Sequence, residues 1–200
     1  MDSVVTIESF AEDLANVVRM TGASSVTLFS HSLGCLIAMA FSTNNVNLVE
    51  KLVLMGPPPC PLPEAGKAAM GKRACAVRDK GMKGSGTAEA VANAGTSHTT
   101  KIYQPVAYAA VRASLLSTNA EGYAKACQAL AAISTPMDLD RLTMPIIFLT
   151  GDEDKTSPPN VVSALHDKIP SSHIEVLPST GHWHVYENPE GVNRLIRSFA

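Results

Sequence analysis

The sequence predicts an α/β protein: a parallel sheet with helices on both faces, folded as one domain. Three observations predict it. Short runs of β-branched and aromatic residues alternate with segments of helical periodicity, the pattern of strand–helix–strand units. The chain of 200 residues is 46% hydrophobic and 17% charged, enough apolar material for a real core. No internal repeat or low-complexity tract interrupts it.

The elements follow in order. Ile7–Met20 places Ile7, Phe10, Leu14, Val17 and Val18 at helical spacing. Thr6 or Asp2 can cap that helix. Glu8, Glu12 and Asp13 fall early, where the helix dipole favours anions, and Gly22 ends it. Val26–Phe29 reads as a short buried strand and Leu33–Phe41 as a buried helix. Leu48–Met55 is a second strand, stopped by Gly56-Pro-Pro-Pro. Residues 60–143 differ in character: rich in Ala, Gly and Lys, helical over Ala65–Lys80, Tyr103–Ser117 and Gly122–Ile133, with no strand. They read as a helical insertion between core segments 1–59 and 144–200. Pro145–Thr150 is then a strand ending in Gly151, Val161–Ile169 a helix and His173–Leu177 a fourth strand. Pro189–Phe199 closes the chain as an amphipathic helix with Val192, Leu195, Ile196 and Phe199 on one face.

Charge and composition exclude several functions. The formal net charge is −2 and the basic residues form no run, which gives nucleic acids and anionic membranes no footprint. No apolar stretch approaches the length of a membrane span. The segment MDSVVTIESF has neither the basic nor the apolar region of a secretory signal, and the final Arg-Ser-Phe-Ala is not a peroxisomal address. Cys35, Cys60, Cys75 and Cys127 show no paired or metal-like spacing, so reduced thiols in a cytoplasmic protein are expected, with no metal and no organic cofactor.

Three short motifs carry chemistry. In Ser30-His31-Ser32-Leu33-Gly34 a serine stands at a strand-to-helix junction with small residues two positions to either side. Such a serine either caps the helix or is a nucleophile; as a nucleophile it needs a base and an acid that orients the base. The helix starting at Leu33 would point its N-terminus at a developing oxyanion, with the Leu33 N–H as one donor. After the Pro145–Thr150 strand, Gly151-Asp-Glu-Asp-Lys offers Asp154, or else Asp152, where α/β sheets place their sites. After the fourth strand, Gly181-His-Trp-His offers His182, or else His184, as the base. The chain order is Ser, Asp, His, each at the C-terminal end of a strand.

These three stretches together resemble the α/β-hydrolase superfamily. "SSVTLFSHSLGCLIAMAFS" is similar to its nucleophile elbow. "MPIIFLTGDEDKTSPP" is similar to its Gly-x-x-Asp loop, which selects Asp154. "LPSTGHWHVYENPEGVNRLIRSF" is similar to its Gly-His-x-x-x-x-Glu-x-Pro ending, which selects His182. Within the insertion, "RACAVRDKG" and "LSTNAEGYAKACQAL" resemble the cap of 3-oxoadipate enol-lactonases, while residues 82–102 resemble that family least. Serine at the elbow, where dehalogenases and epoxide hydrolases of this fold carry Asp, implies ester, lactone, thioester or carbon–carbon hydrolysis.

The resemblance also implies four strands before the Ile7–Met20 helix and a loop that donates a second oxyanion N–H, neither of which occurs in this sequence. The expected architecture is therefore an N-terminally truncated α/β-hydrolase fold with a helical cap insertion. Its sheet would have four strands, with Val26–Phe29 at an open edge able to pair with another subunit in a homo-oligomer. The expected activity is hydrolysis of a small-molecule ester or lactone by Ser32, His182 and Asp154 through an acyl-enzyme. The alternatives are a thioesterase, acyl-transfer or carbon–carbon hydrolase, or an inactive remnant. His31, Tyr103, Tyr108, Tyr123 and Met137 are the candidate substrate contacts.

Overall fold

The computed structural model describes residues 4–199. Four parallel strands lie in the order β1-β2-β3-β4: β1 (Val26–His31), β2 (Val49–Met55), β3 (Ile146–Gly151) and β4 (Ser172–Leu177). Before and between them run α1 (Ile7–Thr21), α2 (Leu33–Asn44), α3 (Glu64–Gly84), α4 (Thr87–Gly95), α5 (His98–Tyr103), α6 (Pro105–Leu116), α7 (Ala120–Ala132) and α8 (Pro159–His166). After β4 come α9 (His184–Glu187) and α10 (Pro189–Phe199). Asp2 lies outside the described residues. Thr6 caps α1, its hydroxyl accepting from the Ser9 N–H while the Ser9 hydroxyl accepts from the Thr6 N–H, a reciprocal capping box.

Strand periodicity assigns the two faces. Along β2, Leu52 and Leu54 point into a core shared with Leu36 and Met39 of α2, Ile7 and Val18 of α1, and Val162 of α8. Val53 and Met55 point the other way, into a smaller core closed by Val192, Leu195 and Ile196 of α10. A strand buried on both faces has no polar position to spare, so residues 52–55 are Leu-Val-Leu-Met. Strands added in sequence order by right-handed crossovers bring their connecting helices to one face. That is where α2 and α8 pack, leaving α10 to cover the other face alone.

β1 stands at one edge of the sheet, and Phe29 is 45% exposed there. Between β2 and β3 the chain makes five helices with their own small cores. Val77, Met82, Ala92, Val111 and Leu115 form one cluster, joined by Trp183 from the loop after β4. Ala74 and Ala124 let α3 and α7 approach closely. The expected Ala65–Lys80 helix sits inside α3, whose helical backbone is broken at Gly81 (φ 69°). The expected Tyr103–Ser117 helix corresponds to α6, which starts at Pro105 because Tyr103 ends the short α5. α4, α5 and α9 had no counterpart in the sequence reading.

Phe148 of β3 is wholly buried beneath α2 and α8. Phe148→Ala should lower the unfolding free energy by about 3–5 kcal/mol, measured by urea denaturation. Phe29→Ala at the exposed edge should lower it far less; equal losses would contradict this account of the core.

Candidate active site

Ser32 falls between β1 and α2 with φ 53° and ψ −123°, a left-handed backbone that a non-glycine residue rarely adopts. Its N–H donates to the Met55 carbonyl at the end of β2 (2.9 Å), which fixes the turn against the neighbouring strand. The Ser32 side chain makes no capping bond to α2. The helix-cap alternative therefore fails, and the hydroxyl is turned elsewhere.

It is turned to His182. Ser32 Oγ lies 2.9 Å from His182 Nε2, and His182 Nδ1 lies 2.8 Å from Asp154 Oδ2. The tautomer that satisfies both contacts has Nδ1–H donating to the carboxylate and Nε2 accepting from the serine. Asp154 is 2% exposed, and its other oxygen, Oδ1, accepts from the N–H groups of Thr156 (2.8 Å) and Ser157 (2.9 Å). Burial alone would raise the Asp154 carboxyl. Its hydrogen bond to His182, the charge of that ring, the Ser157 N–H and the nearby His184 together outweigh burial and hold it below the ordinary carboxylate range. Asp152, the other candidate, is exposed and accepts from the Thr180 N–H instead (3.1 Å).

Two further contacts set the His182 loop. The His182 N–H donates to the Gly95 carbonyl at the end of α4 (2.7 Å). Buried Glu187 gathers the N–H groups of Ser97 (2.8 Å), Gly181 (3.1 Å) and Trp183 (3.0 Å). One carboxylate thus ties the helical insertion to the loop that carries the histidine. A Cβ at Gly181 would sit 2.4 Å from the Gly95 oxygen, and one at Gly56 would sit 2.8 Å from His184 Cε1. Gly151 and Gly95 are as tightly confined, a Cβ at the first lying 2.0 Å from the Thr180 oxygen and at the second 2.7 Å from Trp183 Nε1. At Gly34, in the elbow, a Cβ would meet Ser30 Cβ at an ordinary 3.8 Å. The close approach that the sequence reading placed at the elbow lies instead around the histidines.

Two other imidazoles surround His182. His31 Nε2–H donates to the His182 carbonyl (2.7 Å), with the rings 4.8 Å apart. His184 is fully buried, its Nε2 3.6 Å from Asp154 Oδ2. Burial, with the charge of His182, pushes His31 down to about 4 against the pull of its hydrogen bond to the His182 backbone and of Asp154. Burial, with His31 and His182, pushes His184 down to about 3 against Asp154. Both rings are neutral at pH 7.

A cavity of about 260 Å³ opens over Ser32 and His182, walled by Leu33, Arg73, Tyr123 and Trp183 among others. α2 begins at Leu33, where the first N–H groups of a helix lack an acceptor one turn back; of these the Cys35 N–H donates to the Ser32 carbonyl (2.9 Å). Of the five expected substrate contacts, Tyr123 lines this cavity. His31 is not part of the wall and packs beside His182. Tyr103 is 76% exposed. Tyr108 packs in the insertion's own core, and Met137 packs beneath α2 at the edge of a different cleft. Helical spacing placed Tyr103 and Tyr108 in an insertion but does not say which face of each segment looks inward, and Met137 lies in the irregular segment between α7 and β3. Arg73, Trp183 and Glu187 were not singled out. All three stood within quoted motifs, and Glu187 is the fixed Glu of the Gly-His-x-x-x-x-Glu-x-Pro ending, the signal that pointed to it; nothing in the spacing of Arg73 or Trp183 revealed a role.

Among the described residues no group of three or more His, Cys, Asp or Glu could hold a metal ion, and no helix is long and apolar enough to cross a membrane.

A parallel sheet with a strained serine at a strand-to-helix elbow defines the class, and the comparisons agree. The chain belongs to the alpha/beta hydrolase family, which matches residues 2–195. An esterase from Thermogutta terrifontis, solved with malate bound, superimposes with a TM-score of 0.91 at 28% identity, covering 100% of this chain and 73% of that one. The enol-lactonase from Burkholderia xenovorans LB400 superimposes with a TM-score of 0.88 at 20% identity, covering 100% and 74%. MenH from S. aureus gives a TM-score of 0.79 at 21% identity, covering 100% and 76%. No curated protein matches the chain in sequence. The chain is a hydrolase whose structural neighbours include esterases and a lactonase.

The neutral histidines make stability depend on pH. Each has a folded value below the ordinary 6.5, so the unfolded chain binds more protons as the solution is acidified. Their contribution is complete above about pH 6.5 and is lost on acidification toward about 4 for His31 and about 3 for His184. Asp154, held low, adds to the loss further down in pH. The unfolding midpoint should therefore fall steadily from pH 6.5 to 4. Thermal denaturation across that range checks it, and a flat profile would contradict the neutral assignment.

Proposed function

We propose that the protein hydrolyses small carboxylic esters or lactones, with Ser32 as nucleophile, His182 as general base and acid, and Asp154 as the group that orients His182. The observation that carries this reading is the unbroken path of hydrogen bonds from Asp154 through His182 to Ser32, ending in a cavity. Ser32 Oγ adds to the acyl carbon as its proton passes to His182 Nε2. Asp154 stabilises the imidazolium. The Leu33 N–H, at the positive end of α2, is placed to receive the oxyanion. His182 then protonates the leaving oxygen, forming the acyl-enzyme. Water, deprotonated by His182, adds to the acyl carbon, and collapse returns the proton to Ser32 with release of the acid. Residues 60–143 act as the lid that closes the cavity, in a cytoplasmic protein whose four cysteines stay free thiols.

Arg73 supports a narrower substrate class. Arg73 lines an otherwise mostly apolar cavity and has no carboxylate partner among the described residues; it hydrogen-bonds the Tyr123 hydroxyl, and its Nη1–H lies 3.9 Å from Met70 Sδ. Tyr123 and Cys127 flank it. Burial raises both of their acidic groups, and the charge of Arg73 pulls each the other way. A substrate carboxylate would supply the missing partner, and the similar Thermogutta esterase was solved holding malate. We therefore favour esters or lactones that carry a second, free carboxylate.

p-Nitrophenyl acetate and mono-p-nitrophenyl succinate separate the two parts of this reading. Ser32→Ala and His182→Ala should each reduce turnover of both esters by at least about 10³-fold. Arg73→Met should raise KM for the succinate monoester by about 10- to 100-fold and leave acetate hydrolysis unchanged. Normal turnover by Ser32→Ala would overturn the mechanism. Equal effects of Arg73→Met on both esters would overturn the carboxylate preference alone.

A further inference from the structure

His184 is wholly buried, and neither of its ring nitrogens has a hydrogen-bond partner. Leaving a buried N–H without an acceptor is unfavourable, and a neutral or cationic imidazole carries at least one N–H. The ring is held in place: Gly56 packs against its Cε1 so closely that a Cβ there would lie 2.8 Å away. The nearest acceptor is Asp154 Oδ2, 3.6 Å from His184 Nε2, the same oxygen that accepts from His182 Nδ1 at 2.8 Å. Three of the donors around this carboxylate are engaged, namely the Thr156 N–H, the Ser157 N–H and His182 Nδ1–H. The fourth stands just beyond bonding distance.

We propose that His184 is a positioning residue: as the Nε2–H tautomer it directs a fourth donor at Asp154 Oδ2 and so tempers the charge that the carboxylate presents to His182. The proposal rests on the triad reading above, but its test does not require turnover. A neutral ring suits the task. A cationic ring at this position would repel the His182 imidazolium, and burial keeps His184 uncharged across the working pH range. The titratable groups facing it are His31 from β1, His182 from the loop after β4 and Asp154 from the loop after β3.

The sign follows from electrostatics. An Asp154 carboxylate with one donor fewer bears its charge more fully on His182. The imidazolium is then better stabilised, so His182 holds its proton to higher pH. His184→Phe keeps a flat ring and removes the N–H. Gln carries an N–H donor at the reach of Nε2.

The decisive measurement is ¹⁵N-edited NMR of the histidine side chains in the full chain, titrated from pH 4 to 9. In the wild type, His184 should show a proton on Nε2 and none on Nδ1. The His182 midpoint should rise by about 0.5–1 pH in His184→Phe and return toward the wild-type value in His184→Gln. A wild-type His184 protonated on Nδ1 would overturn the proposal even if neither variant folds. So would an unmoved His182 midpoint in folded His184→Phe. If the His184 signature is found but the ester assays above show no activity, the hydrolase mechanism fails while the placement of the donor stands.

Discussion

The His182 imidazole joins the C-terminal ends of three strands. Its Nε2 meets the serine that follows β1, its Nδ1 meets the carboxylate that follows β3, and its own loop follows β4. This geometry needs a parallel sheet, because parallel strands deliver the loops after β1, β3 and β4 to one edge. It also needs the loop after β4 to be held away from water, since a neutral imidazole between two hydrogen bonds loses definition if solvent competes for either. Glu187 and the Gly95 carbonyl provide that hold. Both reach into the helical insertion or are contributed by it, so the insertion supports the histidine as well as roofing the cavity.

Burial sets the character of the site. Asp154 stays charged because the N–H groups of Thr156 and Ser157 and the His182 ring bond to it, while His31 and His184 stay neutral because no carboxylate bonds to them closely enough to offset desolvation. Three imidazoles lie within 6.0 Å of one another, centroid to centroid, yet only His182 has the pairing that suits proton transfer. The same arrangement makes the fold sensitive to acid, so the electrostatics that define the site also bound the pH range in which it exists.

Much of this was legible in the sequence, for physical reasons that differ by element. The strands were clear because residues 52–55 and 146–149 are buried on both faces and so carry no polar residue. The elbow was clear as a strand-to-helix junction, but its serine could equally cap the helix until the Asp and His motifs were read with it. The strand ends offered Asp154 or Asp152 and His182 or His184, and the resemblance to the family's motifs selected Asp154 and His182. The small helices α4 and α5 were hidden: Ala-rich segments stabilised by tertiary contacts carry no strong amphipathic period. The cavity wall was hidden for a related reason. Tyr103 and Tyr108 were expected to face the substrate, but which face of a helix looks inward depends on its neighbours; Met137 lies in the irregular segment between α7 and β3, whose course no periodicity encodes. Arg73 opens the stretch RACAVRDKG, but the sequence cannot show that it lines the cavity or that no carboxylate of the chain pairs with it.

Labelling by a fluorophosphonate tests the central claim most directly, since it needs only a serine whose hydroxyl is activated by its base. Intact-mass spectrometry of the 200-residue chain after exposure should show a single adduct, absent from Ser32→Ala and from His182→Ala. A folded chain that takes up no adduct, or a Ser32→Ala variant that still takes one, would contradict the assignment of Ser32 and His182 as a working nucleophile and base.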